Sequence, residues 1–273
     1  MKSILLIALM MSMNVFAQDP ASPSVSAPIP AQSAGTPEAP EGRWVMQKQF
    51  DMDLGYHDSV SAGKMILMGS GSSTEREFEF KQLEKSGAEG TKALVRILQP
   101  QELAGTGLLS YTNVGRSNDQ WIYLPALKKT KRIAGASKSG SFIGSEFSFE
   151  DLTPPQLEDY DYTLVSTEAC GSVTCYVVES KPHDADSSYS KIVTWIRTDN
   201  FQNVKADMYN KSGSLFKQVA FEDIRQLNGK FWRPFKMVMK NLQNSNETQL
   251  IVSNYQLQTG LNTSNFSQAV LER

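Results

Sequence analysis

The feature that most constrains this chain is the rhythm of its C-terminal half. "KIVTWIRTDNFQNVKADMYNKSGSLFKQVAFEDIRQLNGKFWRPFKMVMKNLQNSNETQLIVSNYQL" alternates short β-prone runs with the turn pairs Asp199-Asn200, Ser212-Gly213 and Asn228-Gly229. Such pairs tolerate the positive φ angles of primed hairpin turns, so consecutive strands should be antiparallel neighbours in a long meander. The same reading applies from residue 59: "SAGKMILMGSGSSTEREFEFKQLEK", "TKALVRILQP" and "GTGLLSYTNV" are further runs bounded by Gly, Ser or Pro. A sheet of this many strands must close on itself or be covered. Two stretches with helical signals could provide the cover. "PEGRWVMQKQFDMDLG" places Trp44, Met46, Phe50 and Leu54 roughly on one side, and "TSNFSQAVLER" offers Thr263 or Ser264 as a cap.

Strand alternation adds a second constraint. In "QWIYLP", Trp121 and Tyr123 point to one face and Ile122 and Leu124 to the other; in "VTWIR", Val193 and Trp195 oppose Ile192 and Ile196. Both faces are therefore apolar. One can pack under helices, and the other is either ordinary core or the wall of a cavity.

The N-terminal region reads differently. Residues 1–17 carry Lys2, an apolar run and a small-residue end at Val15-Phe16-Ala17, the pattern of a cleavable secretory signal without a lipid-modified Cys. Residues 18–40 hold half of the 12 prolines among Ala, Ser and Gln and are expected to be a disordered leader. Residues 41–273 are expected to form a single β domain, soluble after export, because no later stretch reaches the roughly 18 apolar residues of a spanning helix. Loss of Lys2 takes the formal charge from −2 to −3, too near neutral to suggest a nucleic-acid partner. Cys170 and Cys175 flank a short turn in "ACGSVTCYVV", so a disulfide is expected in an oxidising compartment. Their C-x4-C spacing lacks the grammar of a redox or metal pair.

Catalytic groups are sparse. His57 and His183 are far apart, and Asp51, Asp53, His57 and Asp58 in "DMDLGYHD" follow no known ligand order, so no metal is expected. "GSFIG" puts Phe142 where a nucleophile elbow needs Ser, and no Gly loop of the phosphate-cradling kind occurs. Glu150-Asp151 and Glu158-Asp159 read as solvated turns rather than acid/base pairs. The N-x-S/T triplets at Asn210, Asn246, Asn262 and Asn265 mark polar loops. The chain is not expected to be an enzyme, and no cofactor is called for.

The central stretch "DQWIYLPALKKTKRIAGASKSGSFIGSEFSFEDL" carries a family likeness. Its order W-x-Y-L-P, then K-K-x-K-R-I, then S-G-S-F-x-G-S-E-F-S-x-E-D-L resembles the outer-membrane lipoprotein-sorting proteins of the LolA-like superfamily. "LVRILQPQELAGTGLL" before it and "WIRTDNFQNVKADMYNKSGSLFK" with "QLNGKFWRPFKMVM" after it support the likeness, which spans most of residues 44–273. The resemblance implies a mainly β fold: an incomplete antiparallel β-barrel covered by a few α-helices, with an apolar hollow that receives acyl chains. It also implies the periplasm of a Gram-negative bacterium and a soluble carrier of lipid or lipoprotein cargo; a monomer is expected. On that reading Trp121, Tyr123, Leu124 and Trp195 would form hollow wall, and Phe142, Ile143, Phe147 and Phe149 a mobile cover. Lys128, Lys129, Lys131 and Arg132 would meet phosphate head groups or an acidic partner, or form a solvated hairpin end. The alternative is an accessory protein that docks to an inner-membrane exporter of the resistance-nodulation-division (RND) type and hands it a hydrophobic ligand.

Overall fold

In the computed structural model, the described residues are 41–69, 71–84, 89–113 and 116–273. The expected signal and leader, residues 1–17 and 18–40, lie outside them. After α1 (Gly42–Asp53), six strands run in sequence: β1 (Asp58–Gly69), β2 (Ser72–Leu83), β3 (Glu89–Gln99), β4 (Gly107–Asn113), β5 (Asp119–Leu124) and β6 (Lys129–Ile133). A long connection, residues 134–159, leads to β7 (Tyr160–Cys170), β8 (Val173–Pro182), β9 (Tyr189–Arg197) and β10 (Asn203–Asn210). The chain finishes with β11 (Leu215–Leu227), β12 (Phe231–Asn241), β13 (Glu247–Leu257) and the one-turn α2 (Gln268–Leu271).

All 13 strands form one sheet in the order β6-β5-β4-β3-β2-β1-β13-β12-β11-β10-β9-β8-β7. Each half is a meander, as the turn chemistry predicts, and the halves are joined where β1 pairs antiparallel with β13 from Ser59↔Leu257 to Met68↔Glu247. The sheet stays open between the edge strands β6 and β7, so the fold is an incomplete antiparallel barrel. The turns carry the expected backbone: Asn228 and Gly229 have φ of 49° and 65°, and Gly213 has φ of 80°. At Asp199-Asn200 the left-handed residue is instead Phe201, one position later. Cys170 and Cys175 form a disulfide across the β7–β8 turn, with Cα atoms 5.9 Å apart.

Strand alternation sorts side chains onto an inner and an outer face. The inner face holds the largest core cluster, including Met65, Phe78, Ile97, Leu108, Ile122 and Met239. Two segments lie over it. One is α1, whose Val45 is fully buried against Val178 and Ile196. The other is the connection between the two edge strands. On the outer face, Leu94 and Leu109 are covered by Phe266 and Leu271 of the C-terminal segment, with Trp121 and Tyr123 packed alongside.

Both helical regions were placed correctly, but their details differ from expectation. On α1 the buried residues are Gly42 and Val45; Trp44, 43% exposed, turns sideways onto Tyr176 and Phe201, and Leu54, also 43% exposed, lies just past the helix end. At the C-terminus the caps are Asn262, which forms a reciprocal pair with Asn265, and Ser267, which accepts from the Val270 N–H. Thr263 and Ser264 lie inside the first turn instead.

Candidate functional site

The inner face is incompletely filled. Between the sheet, α1 and the crossing connection lie two adjoining chambers, the first chiefly apolar and the second of mixed lining. The first, about 290 Å³, is lined by Met65, Phe78, Phe80, Val95, Phe142 and Leu152 among others. The second, about 490 Å³, lies under α1 against Met46, Phe50, Ile192, Phe221 and Trp232. Arg233, Met237 and Tyr255 belong to both linings, so the chambers share a wall. These volumes fall in or near the range of small-ligand pockets, roughly 300–1,000 Å³.

The connection closes one side of the hollow as a plug. Ser141 and Ser148 bridge, the Ser145 N–H donates to the Phe142 carbonyl, and Ile143 and Gly144 turn the chain with φ of 46° and 81°. A β-branched residue in the left-handed region costs on the order of 1–3 kcal/mol and persists only where its surroundings fix it. Here they do, through side chains from five strands. Gln120 Nε2 of β5 donates to the Phe149 carbonyl at 2.8 Å, and Thr248 Oγ1 of β13 accepts from the Glu146 N–H at 2.9 Å. Lys217 Nζ of β11 donates to the Glu146 carbonyl at 2.7 Å, and Asn241 Nδ2 of β12 to Glu146 Oε2 at 2.8 Å. The Tyr189 hydroxyl of β9 donates to Asp151 Oδ1 at 2.6 Å.

The structure bears on two sequence readings. The Gly/Ser-rich segment is folded as a hairpin whose serines tie the turn, with Ser141 Oγ on the Ser145 carbonyl at 2.5 Å and Ser148 Oγ on Asp151 at 2.8 Å. Phe142, Phe147 and Phe149 are buried in the main core, with Ile143 packed against it. Glu150 and Asp151 are not a solvated turn. Glu150 accepts from Ser187 and Ser188, while Asp151 accepts from Tyr189 and Ser148 and lies 3.7 Å from Lys217.

Of the other residues singled out by sequence, Leu124 packs against the inner cluster. Trp121 and Tyr123 do not: they lie on the outer face under the C-terminal segment, as alternation with the buried Ile122 requires. Trp195 is also displaced from the hollow. Its indole donates to Glu168 at 2.6 Å, and Lys205 Nζ lies 3.7 Å from the ring centroid, while its neighbours Ile192 and Thr194 face the chamber under α1. Lys128, Lys129, Lys131 and Arg132 are exposed on the β5–β6 hairpin at a sheet edge, and Arg132 pairs with Asp119 at 2.5 Å. Exposed lysines on an edge strand also discourage strand addition.

Sequence reasoning missed Arg233. It sits in the aromatic run "FWRPF", and its side chain is 12% exposed, flanked by Tyr56, Phe231 and Tyr255. Nη1 donates to Asp53 of α1 and to the Trp232 carbonyl, and Nε donates to the Tyr255 hydroxyl at 3.1 Å. A charged residue embedded among aromatics is the one signal that could have flagged it. Asp53 belongs to this ion pair, and Asp58 holds the C-terminal segment by accepting from the Thr259 and Gly260 N–H groups. Burial pushes the Asp53 carboxyl above its usual range even though the Arg233 guanidinium pulls it down. Among the described residues no cluster of three His, Cys, Asp or Glu side chains could hold a metal ion, and no helix is long and apolar enough to cross a membrane.

Comparison with other proteins places this architecture. A family model described as "Uncharacterized protein" matches residues 89–273. No curated protein matches the chain. Among solved structures, a domain described as an outer membrane lipoprotein-sorting protein domain, from Vibrio parahaemolyticus, shares 35% identity. It has a TM-score of 0.83 over 85% of this chain and 98% of that one. A DUF1329 family protein from Desulfovibrio piger shares 27% identity, with a TM-score of 0.80 over 84% and 97% of the two chains. A LolA superfamily protein from Nitrosomonas europaea, at 21% identity, shows the same fold with a TM-score of 0.68 over 85% and 100%. The extent and identity of the Vibrio match establish that the chain belongs to the outer-membrane lipoprotein-sorting protein family, and the Nitrosomonas protein shows that its fold is the one found in the LolA superfamily.

Proposed function

We propose that this protein is a periplasmic carrier that binds the acyl chains of a lipid or lipoprotein in the hollow between the sheet, α1 and the plug. The observation that carries the reading is the hollow itself: two adjoining chambers of about 290 and 490 Å³, into which Met46, Phe50, Met65, Phe78, Phe142 and Met237 project among polar neighbours. Each buried CH₂ is worth about 0.8 kcal/mol, so such a surface can retain an acyl chain by burial alone, without covalent chemistry. Methionines suit the task because their flexible thioethers repack around chains of different shape. Transport toward the outer membrane and a periplasmic location rest on the family relationship.

Contact with a membrane or a membrane protein belongs to the β5–β6 hairpin on this reading. Leu127 is 55% exposed there beside Lys128, Lys129 and Lys131, an apolar tip in a basic collar that suits phosphate head groups or an acidic face of an RND-type exporter. The deciding experiment is native mass spectrometry of protein purified from periplasm, paired with titration of a fluorescent acyl probe. Co-purified lipid, or saturable probe binding displaced by unlabelled acyl chains, is expected. Protein that carries no lipid and gives no saturable binding would rule out the carrier and leave exporter docking as the reading to pursue.

A further inference from the structure

The cation of the hollow is Arg233. Among the described residues lining the two chambers it is the only one, and it belongs to both linings. Its donors are only partly used: Nη1 and Nε are bonded, whereas Nη2 has no protein partner among the described residues. A guanidinium presents five N–H donors in a planar fork suited to two oxygens of one anion. Its anionic partner, Asp53, is the last residue of α1, and that carboxylate remains 47% exposed. The pair therefore joins a fixed cation on the sheet to an anion on a separate cover, within reach of solvent.

We infer that Arg233 is the head-group subsite of the hollow, where a single anionic head group, carboxylate or phosphate monoester, of an acyl-chain ligand replaces Asp53. The inference rests on the carrier reading and adds the ligand's charge to it. An incoming carboxylate or phosphate exchanges one charge-assisted pair for another, so the buried guanidinium is never left unpaired, and it also engages Nη2. An uncharged head group offers no such exchange. The aromatic shell of Tyr56, Phe231 and Tyr255 holds the cation in place while the anion changes.

The test is displacement of a fluorescent acyl probe from the purified protein by dodecanoate, dodecyl phosphate and dodecan-1-ol, which share one chain length. The expected result is that at least one of the two anions binds about tenfold or more tightly than the alcohol, the scale of a charge-assisted hydrogen bond. Whichever anion binds better names the source, free fatty acid or phosphorylated lipid. Arg233→Gln should bring the anion-to-alcohol ratio to near one. Asp53→Asn, which removes the competing carboxylate, should raise it several-fold. Thermal melts report whether each variant folds; if Arg233→Gln does not, the wild-type ratio and its rise in Asp53→Asn carry the test. Equal binding of anions and alcohol would overturn this inference and leave the carrier reading standing. Failure of all three compounds to displace the probe would likewise overturn this inference, whereas absence of any saturable probe binding would remove the carrier reading with it.

Discussion

The two coverings of the sheet meet equally apolar surfaces and treat them in opposite ways. On the outer face, the C-terminal segment fills what it covers. Phe266 and Leu271 are 1% and 0% exposed, the Tyr111 hydroxyl donates to the Phe266 carbonyl, and a Cβ on Gly107 would come 2.6 Å from Leu271 Cδ1. On the inner face, α1 and the plug bury Val45, Phe142 and Phe147 but are also pinned at their margins by polar and ionic bonds, and they leave two chambers between them. Apolar surface alone therefore does not make a binding site. A cover that adds directional bonds at its margins can stand off the sheet over part of its length, whereas one held by side-chain burial alone must pack down, since empty contacts forfeit dispersion energy.

The largest expected effect tests whether the plug is core. Phe142 is 0% exposed and stacks edge-on with Phe149 at 6.2 Å, so Phe142→Ala should cost about 4 kcal/mol in urea denaturation and widen the first chamber. A loss below about 1 kcal/mol would mean the plug is a loose flap and the contrast is wrong.

Next comes the outer cover. Leu271→Ala should cost about 3 kcal/mol while acyl-probe affinity stays at the wild-type value, because Leu271 packs on the face away from the hollow. A matching fall in affinity would show that the two faces are coupled.

Smaller and dependent on pH is the clamp at the start of the outer segment. Burial alone would raise the Asp58 carboxyl, but hydrogen bonds from Thr259 and Gly260 outweigh it and hold the group below its usual range. A depressed folded value means that this stability is fully present above the unfolded pKa, about 3.9, and is lost as pH falls through the lower folded value. Asp58→Asn should therefore cost about 2 kcal/mol at neutral pH, with the gap to wild type closing below about pH 4 in melts across the acid range. A gap that stays constant with pH would assign the effect to packing instead.

The smallest effect is expected at Trp195. Partly exposed and held by Glu168 and Lys205, it should cost only about 1 kcal/mol as Trp195→Ala, well under Phe142→Ala in the same denaturation series. The reverse order would return Trp195 to the core and break the comparison outright.

Much of the architecture was legible. Asn228-Gly229 and Ser212-Gly213 announced their hairpins because turn preferences are local, and Cys170 and Cys175 because a short turn brings two such residues together. Alternation correctly separated Trp121 from Ile122 and Trp195 from Ile196. Which of the two faces was inner could not be read, because that depends on where residues 134–159 and 258–273 cross the sheet. The same limit hid Glu150 and Asp151: a Glu-Asp pair beside a Gly/Ser loop reads as solvated until Ser187, Ser188 and Tyr189 arrive from a strand nearly forty residues away.

By itself, then, the sequence determined the strands, their antiparallel order, the staple at the β7–β8 turn and the apolar character of both sheet surfaces, since each follows from interactions between near neighbours in the chain. Only the tertiary structure decided that Phe142, Phe147 and Phe149 plug the inner face, that Trp121 and Tyr123 lie under the C-terminal segment, and that Arg233 meets Asp53 across 180 residues. Those pairings depend on the joining of the two meanders through β1 and β13, residues about two hundred positions apart in the chain, which no local pattern encodes.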